Sequence, residues 1–416
     1  MSTTTPRRLL AVLVFAQVLS GAGLAAGITV GALLAEDMLG STGLAGVPSA
    51  LFTAGAALGA VAIGRVSRWR GRRSGLALGY AAGALGSLGV VAAAALESVP
   101  LLFLSLLVYG AGTATNLMAR YAGADLVPPE RRGRAVSAVL GATTLGAVAG
   151  PNLVTATGGL AAAWGVPRLA GPFLLAAAAF GAAAAVLGCL LRPDPLRDPG
   201  EPPPDGPDGP DGSNGPDGPD DSGARTVLRR QLAAGTGVMI LTQLVMIALM
   251  TMTPVHLRAH GHGTQAAGLV IALHVGAMFL PSPLTGLLVD RAGPRAVATA
   301  SGVVLLGAGL LATAAPPHSV PALAAALVLL GLGWNFGLVS GTTLVTGALP
   351  PDRRAAAQGW VDAGIALAGA VGGTASGPVL AAAGFPVLAL VCGVLAAAVV
   401  PVALLAARGG GDTRCP

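Results

Sequence analysis

Lysine is missing from this chain: all 24 basic residues are Arg. Charge of either sign is scarce, at 10% of 416 residues against roughly 25% in a soluble globular protein. Aromatic residues make up 4%, and the three cysteines, Cys189, Cys392 and Cys415, follow no framework or ligand spacing. A disulfide-stapled fold and a thiolate metal site are therefore excluded. Phosphate-binding loops, nucleophile–base sets and haem spacings are also missing, so the chain does not read as an enzyme and no cofactor is expected.

What fills the chain instead is apolar: 54% of residues are hydrophobic and the mean hydropathy is +0.75. So little polar surface cannot keep a protein of this size in water, which leaves an integral membrane protein. The pI near 10.2 does not point to nucleic acid, because the Arg residues gather in short loops between apolar runs, where they set membrane topology. Arg without Lys, with abundant Ala, Gly and Pro, is the coding signature of a GC-rich genome. The expected location is a bacterial cytoplasmic membrane.

A bilayer-crossing helix needs about 20 apolar residues. Twelve such runs are present, at 9–34, 44–64, 74–96, 100–119, 135–157, 168–191, 231–253, 265–289, 296–315, 320–346, 355–380 and 384–406. The first resembles a signal peptide, but its apolar run is too long for one and is read as a span. Transmembrane barrels would need short alternating segments and are excluded. With the N-terminus inside, every Arg except Arg168 and Arg258 falls on the cytoplasmic side, so both termini are expected there.

Residues 193–228, dominated by a Pro/Gly/Asp repeat with few apolar residues to bury, are expected to form a disordered cytoplasmic linker. They separate a six-helix half at 1–192 from another at 229–416. The halves repeat. "PPERR" begins at 128 and "PPDRR" at 350, 222 residues apart; "GRVSRWRGRR" from Gly64 and "GLLVDRAGPR" from Gly286 share that offset, as do Arg7-Arg8 and Arg229-Arg230. A six-span shift keeps orientation, so these are parallel repeats about an axis along the membrane normal.

At this point the chain resembles the major facilitator superfamily of secondary transporters, over nearly its whole length apart from the linker. Gly286-Leu-Leu-Val-Asp290-Arg291-Ala-Gly293-Pro-Arg295 is similar to the G-x-L-x-D-R-x-G-x-R loop of that family. The resemblance implies a cytoplasmic gate in which Asp290, Arg291 and Arg295 form a charge latch and Gly293 permits the turn. The first-half copy departs, with Arg68 where the second half has Asp290. Five Arg and no acid stand between 65 and 73, so anionic lipid headgroups become a candidate partner. Gly146-Ala-Val-Ala-Gly150-Pro151 in span 5 resembles the G-x-x-x-G-P motif of drug:proton antiporters, without the glycines that usually follow. Span 11 has its own Gly377-Pro378. Each pair either permits a helix bend or marks close packing. Span 4 has Leu106 where drug exporters often carry an Arg, so that Arg's coupling role is not carried over.

Asp362 lies within an apolar span, about 12 Å past Arg354 at helical rise. An ionised carboxylate there costs at least ~2.5–3.5 kcal/mol, so it faces water, pairs with a partner or stays protonated. It is the leading candidate for proton coupling, against a static bond to a neighbouring helix. His274, near the middle of span 8, is the second candidate, against a satisfied core histidine. His256, His260 and His262 have spacing a metal could use but lack a carboxylate or Cys, so no metal is expected. Spans 1, 4, 7 and 10 line the central cavity in the superfamily, which makes Gln17, Tyr109, Asn116, Gln243, Trp334 and Asn335 the candidate substrate contacts, or else interhelical glue.

A modestly polar, nearly uncharged cavity suits a small, neutral or cationic amphipathic molecule. The expected function is alternating-access transport, with proton-coupled efflux preferred over uptake by symport or uniport, and over a sensor or scaffold that moves nothing. Expected partners are the substrate, protons and the lipid bilayer, with no nucleic acid, and the chain is expected to act as a monomer.

Overall fold

The computed structural model describes residues 4–39, 46–196 and 221–405. The repeat-rich stretch 197–220 and the tail from 406 onward, with Arg408, Arg414 and Cys415, lie outside the described residues. Among the described residues all regular structure is helical. The first half holds α1 (Thr4–Leu39), α2 (Gly46–Arg70), α3 (Arg72–Ala95), α4 (Val99–Asp125), α5 (Arg132–Ala163) and α6 (Gly171–Leu190). The second holds α7 (Asp221–Ala259), α8 (Thr264–Phe279), α9 (Ser282–Ala292), α10 (Pro294–Ala314), α11 (Val320–Ala348), α12 (Pro351–Ala397) and α13 (Val399–Leu405).

Among the described residues ten stretches are long and apolar enough to cross a membrane. One of them, Pro351–Leu405, is 55 residues long and holds two of the twelve expected spans, separated where Gly384 leaves helical geometry with φ +81°. Helix α5, at 32 residues, supplies the remaining one. Helix follows from the solvent: in hydrocarbon each backbone N–H and C=O needs a partner within its own segment. Large apolar side chains such as Leu58, Leu85, Leu145 and Leu280 face outward, as a lipid-facing surface requires. Two features differ from the sequence reading. Helix α7 starts at Asp221, inside the expected linker, just after the last proline of the repeat, Pro219. Span 8 is broken into α8 and α9 at Leu280-Pro281, where Pro281 and Pro283 remove two N–H donors.

The turns at Gly71 and Gly293, again 222 residues apart, both have positive φ (+86° and +87°), which only glycine adopts without strain. The charged loop therefore makes the same turn in both repeats.

The packing divides into two compact units that do not coincide with the sequence halves. Unit 1 comprises Met1–Pro128, Ala138–Asp208 and Pro351–Leu367; unit 2 comprises Pro129–Ser137, Gly209–Pro350 and Ala368–Pro416. The first turns of α12 thus pack with the first repeat, and the segment that starts α5 packs with the second.

Unit 1 is held by small residues and a buried polar knot. A Cβ at Gly83 of α3 would lie 2.6 Å from Gly112 Cα of α4, so the two backbones touch. Inside, Gln17 Nε2 donates to the Asn116 carbonyl at 2.9 Å and to Thr143 Oγ1 at 3.2 Å. Tyr80 donates to Gln17 Oε1, and Asn116 Nδ2 donates to Ser20 Oγ at 2.8 Å.

Unit 2 braces its broken span. Asn335 of α11 donates through Nδ2 to the Met278 carbonyl at 2.6 Å and to Ser282 Oγ at 2.8 Å. It accepts from Thr285 Oγ1 at 2.6 Å. One side chain thereby ties the end of α8 to the start of α9. Asn335→Ala is expected to cost about 2 kcal/mol by leaving these buried groups short of partners, measured as loss of thermal stability in detergent.

Candidate functional site

Three charged residues of α3 and α4 with buried side chains, Arg72, Arg120 and Asp125, converge on the first turns of α12. Arg354, Gln358 and Asp362 recur every four residues and so share one helix face. Each finds a partner on α3 or α4. Asp362 binds Arg120 with both oxygens: Nη2 to Oδ1 at 2.6 Å and Nη1 to Oδ2 at 3.1 Å. Tyr121 adds its hydroxyl, donating to Oδ1 at 3.2 Å while accepting from Arg120 Nη2 at 3.0 Å. The Arg120 guanidinium also lies 4.2 Å from the Tyr121 ring centroid. Gln358 accepts from Arg72 Nη2. Arg354 Nη1 donates to Asp125 Oδ1 at 2.9 Å, while Arg72 Nε takes Asp125 Oδ2 at 2.9 Å.

Burial gives the ladder its energetic weight. Arg72 and Arg120 are fully buried, Asp125 and Asp362 nearly so, and the Arg354 side chain is only 12% exposed. Desolvating a charge costs several kcal/mol, repaid only by close, hydrogen-bonded opposite charge. Planar guanidinium against carboxylate supplies that geometry. The backbones meet here too: a Cβ at Gly64 of α2 would lie 2.9 Å from Gly359 Cα and 2.8 Å from the Ala355 carbonyl oxygen.

Arg120, a cytoplasmic-side residue at the end of span 4 by sequence, lies within α4 as the partner of Asp362. Asp362 is thus the paired carboxylate among the outcomes open to it. Tyr121, Asp125 and Gln358 escaped notice. The signal available was the i, i+4, i+8 spacing of 354, 358 and 362, together with an Arg five residues before an Asp at the end of an apolar run.

In unit 2 the motif carboxylate Asp290 accepts from Gly133 N at 2.8 Å, Arg134 N at 3.3 Å and Arg134 Nε at 2.8 Å. Its partner is Arg134 at the start of α5, rather than Arg291 or Arg295 in its own loop. A Cβ at Gly286 would lie 2.7 Å from the Gly133 carbonyl oxygen, the same contact as Gly64 against Ala355 at the repeat offset. The Arg134 side chain is 51% exposed, so the ion pair is worth about 1 kcal/mol or less. Asp290→Asn is expected to lower stability by only about 1–2 kcal/mol, cap included, in denaturant titration.

The other candidates fall as follows. Gln17 and Asn116 belong to the unit 1 knot, and Tyr109 is buried with its hydroxyl donating to the Gly23 carbonyl at 2.8 Å. Trp334 donates through Nε1 to Gln243 Oε1 at 2.7 Å and stands edge-on to Phe279, with centroids 5.7 Å apart. Asn335 is the brace described above. In all six the polar groups are engaged in helix packing. His274 is fully buried; its ring nitrogen Nδ1 bonds the Leu327 carbonyl at 2.8 Å and Nε2 has no hydrogen-bond partner among the described residues. That carbonyl can only accept, so Nδ1 carries the proton. Asp362 and His274 belong to different units, so a shared pathway gains no support. Gly146 is a packing position, where a Cβ would meet the Val18 carbonyl oxygen at 2.0 Å, whereas Gly377 has open space. The Gly150 and Pro151 side chains lie outside the described residues, and Pro378 sits within α12. His256 stacks on Phe385 at 4.2 Å and neighbours His260 at 4.3 Å, which in turn meets His318 at 5.7 Å, a partner too distant in sequence to foresee. Among the described residues no group of three metal-ligating side chains is placed to hold an ion.

Comparison with known proteins places this geometry in context. The family model described as Major Facilitator Superfamily matches residues 10–295 and 235–412. The uncharacterized MFS-type transporter YdeG of Bacillus subtilis (strain 168) is 51% identical over 402 residues, covering 95% of this chain and 91% of the relative. The riboflavin transporter RfnT of Brucella anthropi is 31% identical over 360 residues, covering 86% and 85%. Among solved structures, the human organic anion transporter MFSD10 (TETRAN) superposes with a TM-score of 0.75 at 17% identity, covering 96% of this chain and 99% of that one.

Proposed function

The chain belongs to the Major Facilitator Superfamily, a multi-pass membrane transporter rather than an enzyme, and from that premise we propose that it exchanges protons for a small, neutral or cationic amphipathic molecule across a bacterial cytoplasmic membrane. The observation that carries the proposal is the buried pair of Arg120 and Asp362. Arg120 belongs to the first repeat and Asp362 to the second, so alternating access of the repeats must break this pair once per cycle. A proton on Asp362 removes the charge that holds Arg120 and lowers the cost of parting; its departure restores the clamp. That is the behaviour a coupling carboxylate needs. The Asp125–Arg354 bridge joins the two repeats as well, so it too must open in the cycle.

Substrate class rests on one support. The relative at 31% identity is named a riboflavin transporter, and riboflavin is an uncharged amphipathic ring system. Efflux is favoured by the Gly146–Pro151 stretch that resembles the antiporter motif.

The test is vectorial flux with the purified chain in proteoliposomes, using radiolabelled riboflavin, a lipophilic cation and a neutral sugar. Accumulation of a compound against its gradient, driven by an opposing proton gradient, is expected. Accumulation in the same direction as the protons would reverse the reading to uptake by symport. No flux of any class would leave a sensor or scaffold.

A further inference from the structure

The two repeats make the same backbone contact but finish it with opposite chemistry. In unit 2, Gly286 approaches Gly133 and Ser137, and the following turn presents Asp290, whose carboxylate neutralises Arg134. In unit 1, Gly64 approaches Ala355 and Gly359, but the residue equivalent to Asp290 is Arg68. The residues just beyond the glycines differ as well. Arg65 and Trp360 stand where the other repeat has Leu287 and Ala138. Because Gly64 and Gly359 bring α2 and α12 together, Arg65 and Trp360 emerge side by side, with the guanidinium 5.6 Å from the indole centroid. Trp360 is 61% exposed and Arg65 is exposed. A second such couple follows one turn on, with Arg70 4.5 Å from the Trp69 ring.

We infer that this face of unit 1 binds the headgroup of an anionic phospholipid of the cytoplasmic leaflet. Trp360 lies six residues past Arg354, about 9 Å along the helix, at the level where indoles settle between headgroups and chains. Arg65 and Arg68 supply the positive charge, and the exposed indole lies along the glycerol and upper acyl region. The lipid phosphate meets Arg65 and Arg68 directly; Ala356 stands where unit 2 has Arg134, so the Asp290–Arg134 pair has no counterpart in unit 1. Attraction of each basic residue to an anionic leaflet is worth about fivefold in affinity.

The experiment reconstitutes the full chain in phosphatidylcholine vesicles with increasing brominated phosphatidylglycerol. The Trp360 signal is taken as the difference in tryptophan quenching between wild type and Trp360→Phe. Wild type is expected to prefer the anionic lipid by roughly 25-fold over brominated phosphatidylcholine. Arg65→Gln with Arg68→Asp, which gives unit 1 the acid of unit 2, is expected to abolish the preference, while Arg65→Lys keeps most of it. Arg229→Gln with Arg230→Gln, removing the same number of cytoplasmic Arg elsewhere, is expected to leave it intact. No preference in wild type, an equal loss in the Arg229/Arg230 variant, or no loss in the Arg65/Arg68 variant would each overturn the inference. So would displacement by inorganic phosphate, which would make the ligand a free anion.

Discussion

Asp362→Ala is expected to destabilise the protein by about 3–5 kcal/mol, because it leaves Arg120 fully buried beside Tyr121 without its counter-ion. The loss should exceed the worth of the pair itself. Replacing both members by apolar residues of similar volume, Arg120→Met with Asp362→Leu, removes charge and partner together and should recover most of the stability. The two variants separate structure from coupling. If Asp362 only braces α12, the double variant should regain transport with stability. If Asp362 carries the proton, the double variant should be stable and uncoupled. Thermal unfolding in detergent with flux on the same preparations reads both.

Asp125→Ala is expected to cost at least as much, also about 3–5 kcal/mol, because one carboxylate serves two cations. Arg72 is fully buried and its Nη1 already has no hydrogen-bond partner among the described residues, so it cannot turn to water. Arg354, at 12% exposure, has a little more freedom. Adding Arg72→Met to Asp125→Ala should return more stability than adding Arg354→Met. Equal recovery, or a loss as small as that expected for Asp290→Asn, would mean the bridge is solvated.

The fold was legible because its signals are long and redundant. Apolar runs, Arg placement and a repeat at a fixed offset all pointed to two six-helix halves, and the offset recurs in the paired turns at Gly71 and Gly293. Asp362 also stood out, since a lone acid in an apolar span has few physical excuses. Its partner did not. Arg120 sits near the end of an apolar run, where positive charge ordinarily marks the membrane edge, and nothing local separates a snorkelling Arg from a buried one. The role of Asn335 was hidden for another reason. It follows from the break at Leu280-Pro281, and a proline in an apolar run does not say whether the helix bends or stops. The motif loop pointed to Arg291 and Arg295 as partners of Asp290, whereas its partner is Arg134, 156 residues away and beyond the reach of a local motif.

Proton movement in proteoliposomes, wild type against Asp362→Asn, tests the central claim most directly. Asn keeps the shape and can still accept from Arg120, but it cannot take up a proton. With a pH gradient imposed and a transported compound added, wild type should dissipate the gradient as the compound moves. Asp362→Asn should move the compound without protons, or not at all. Dissipation by the variant at the wild-type rate would contradict the account and make the Arg120–Asp362 pair a structural clamp.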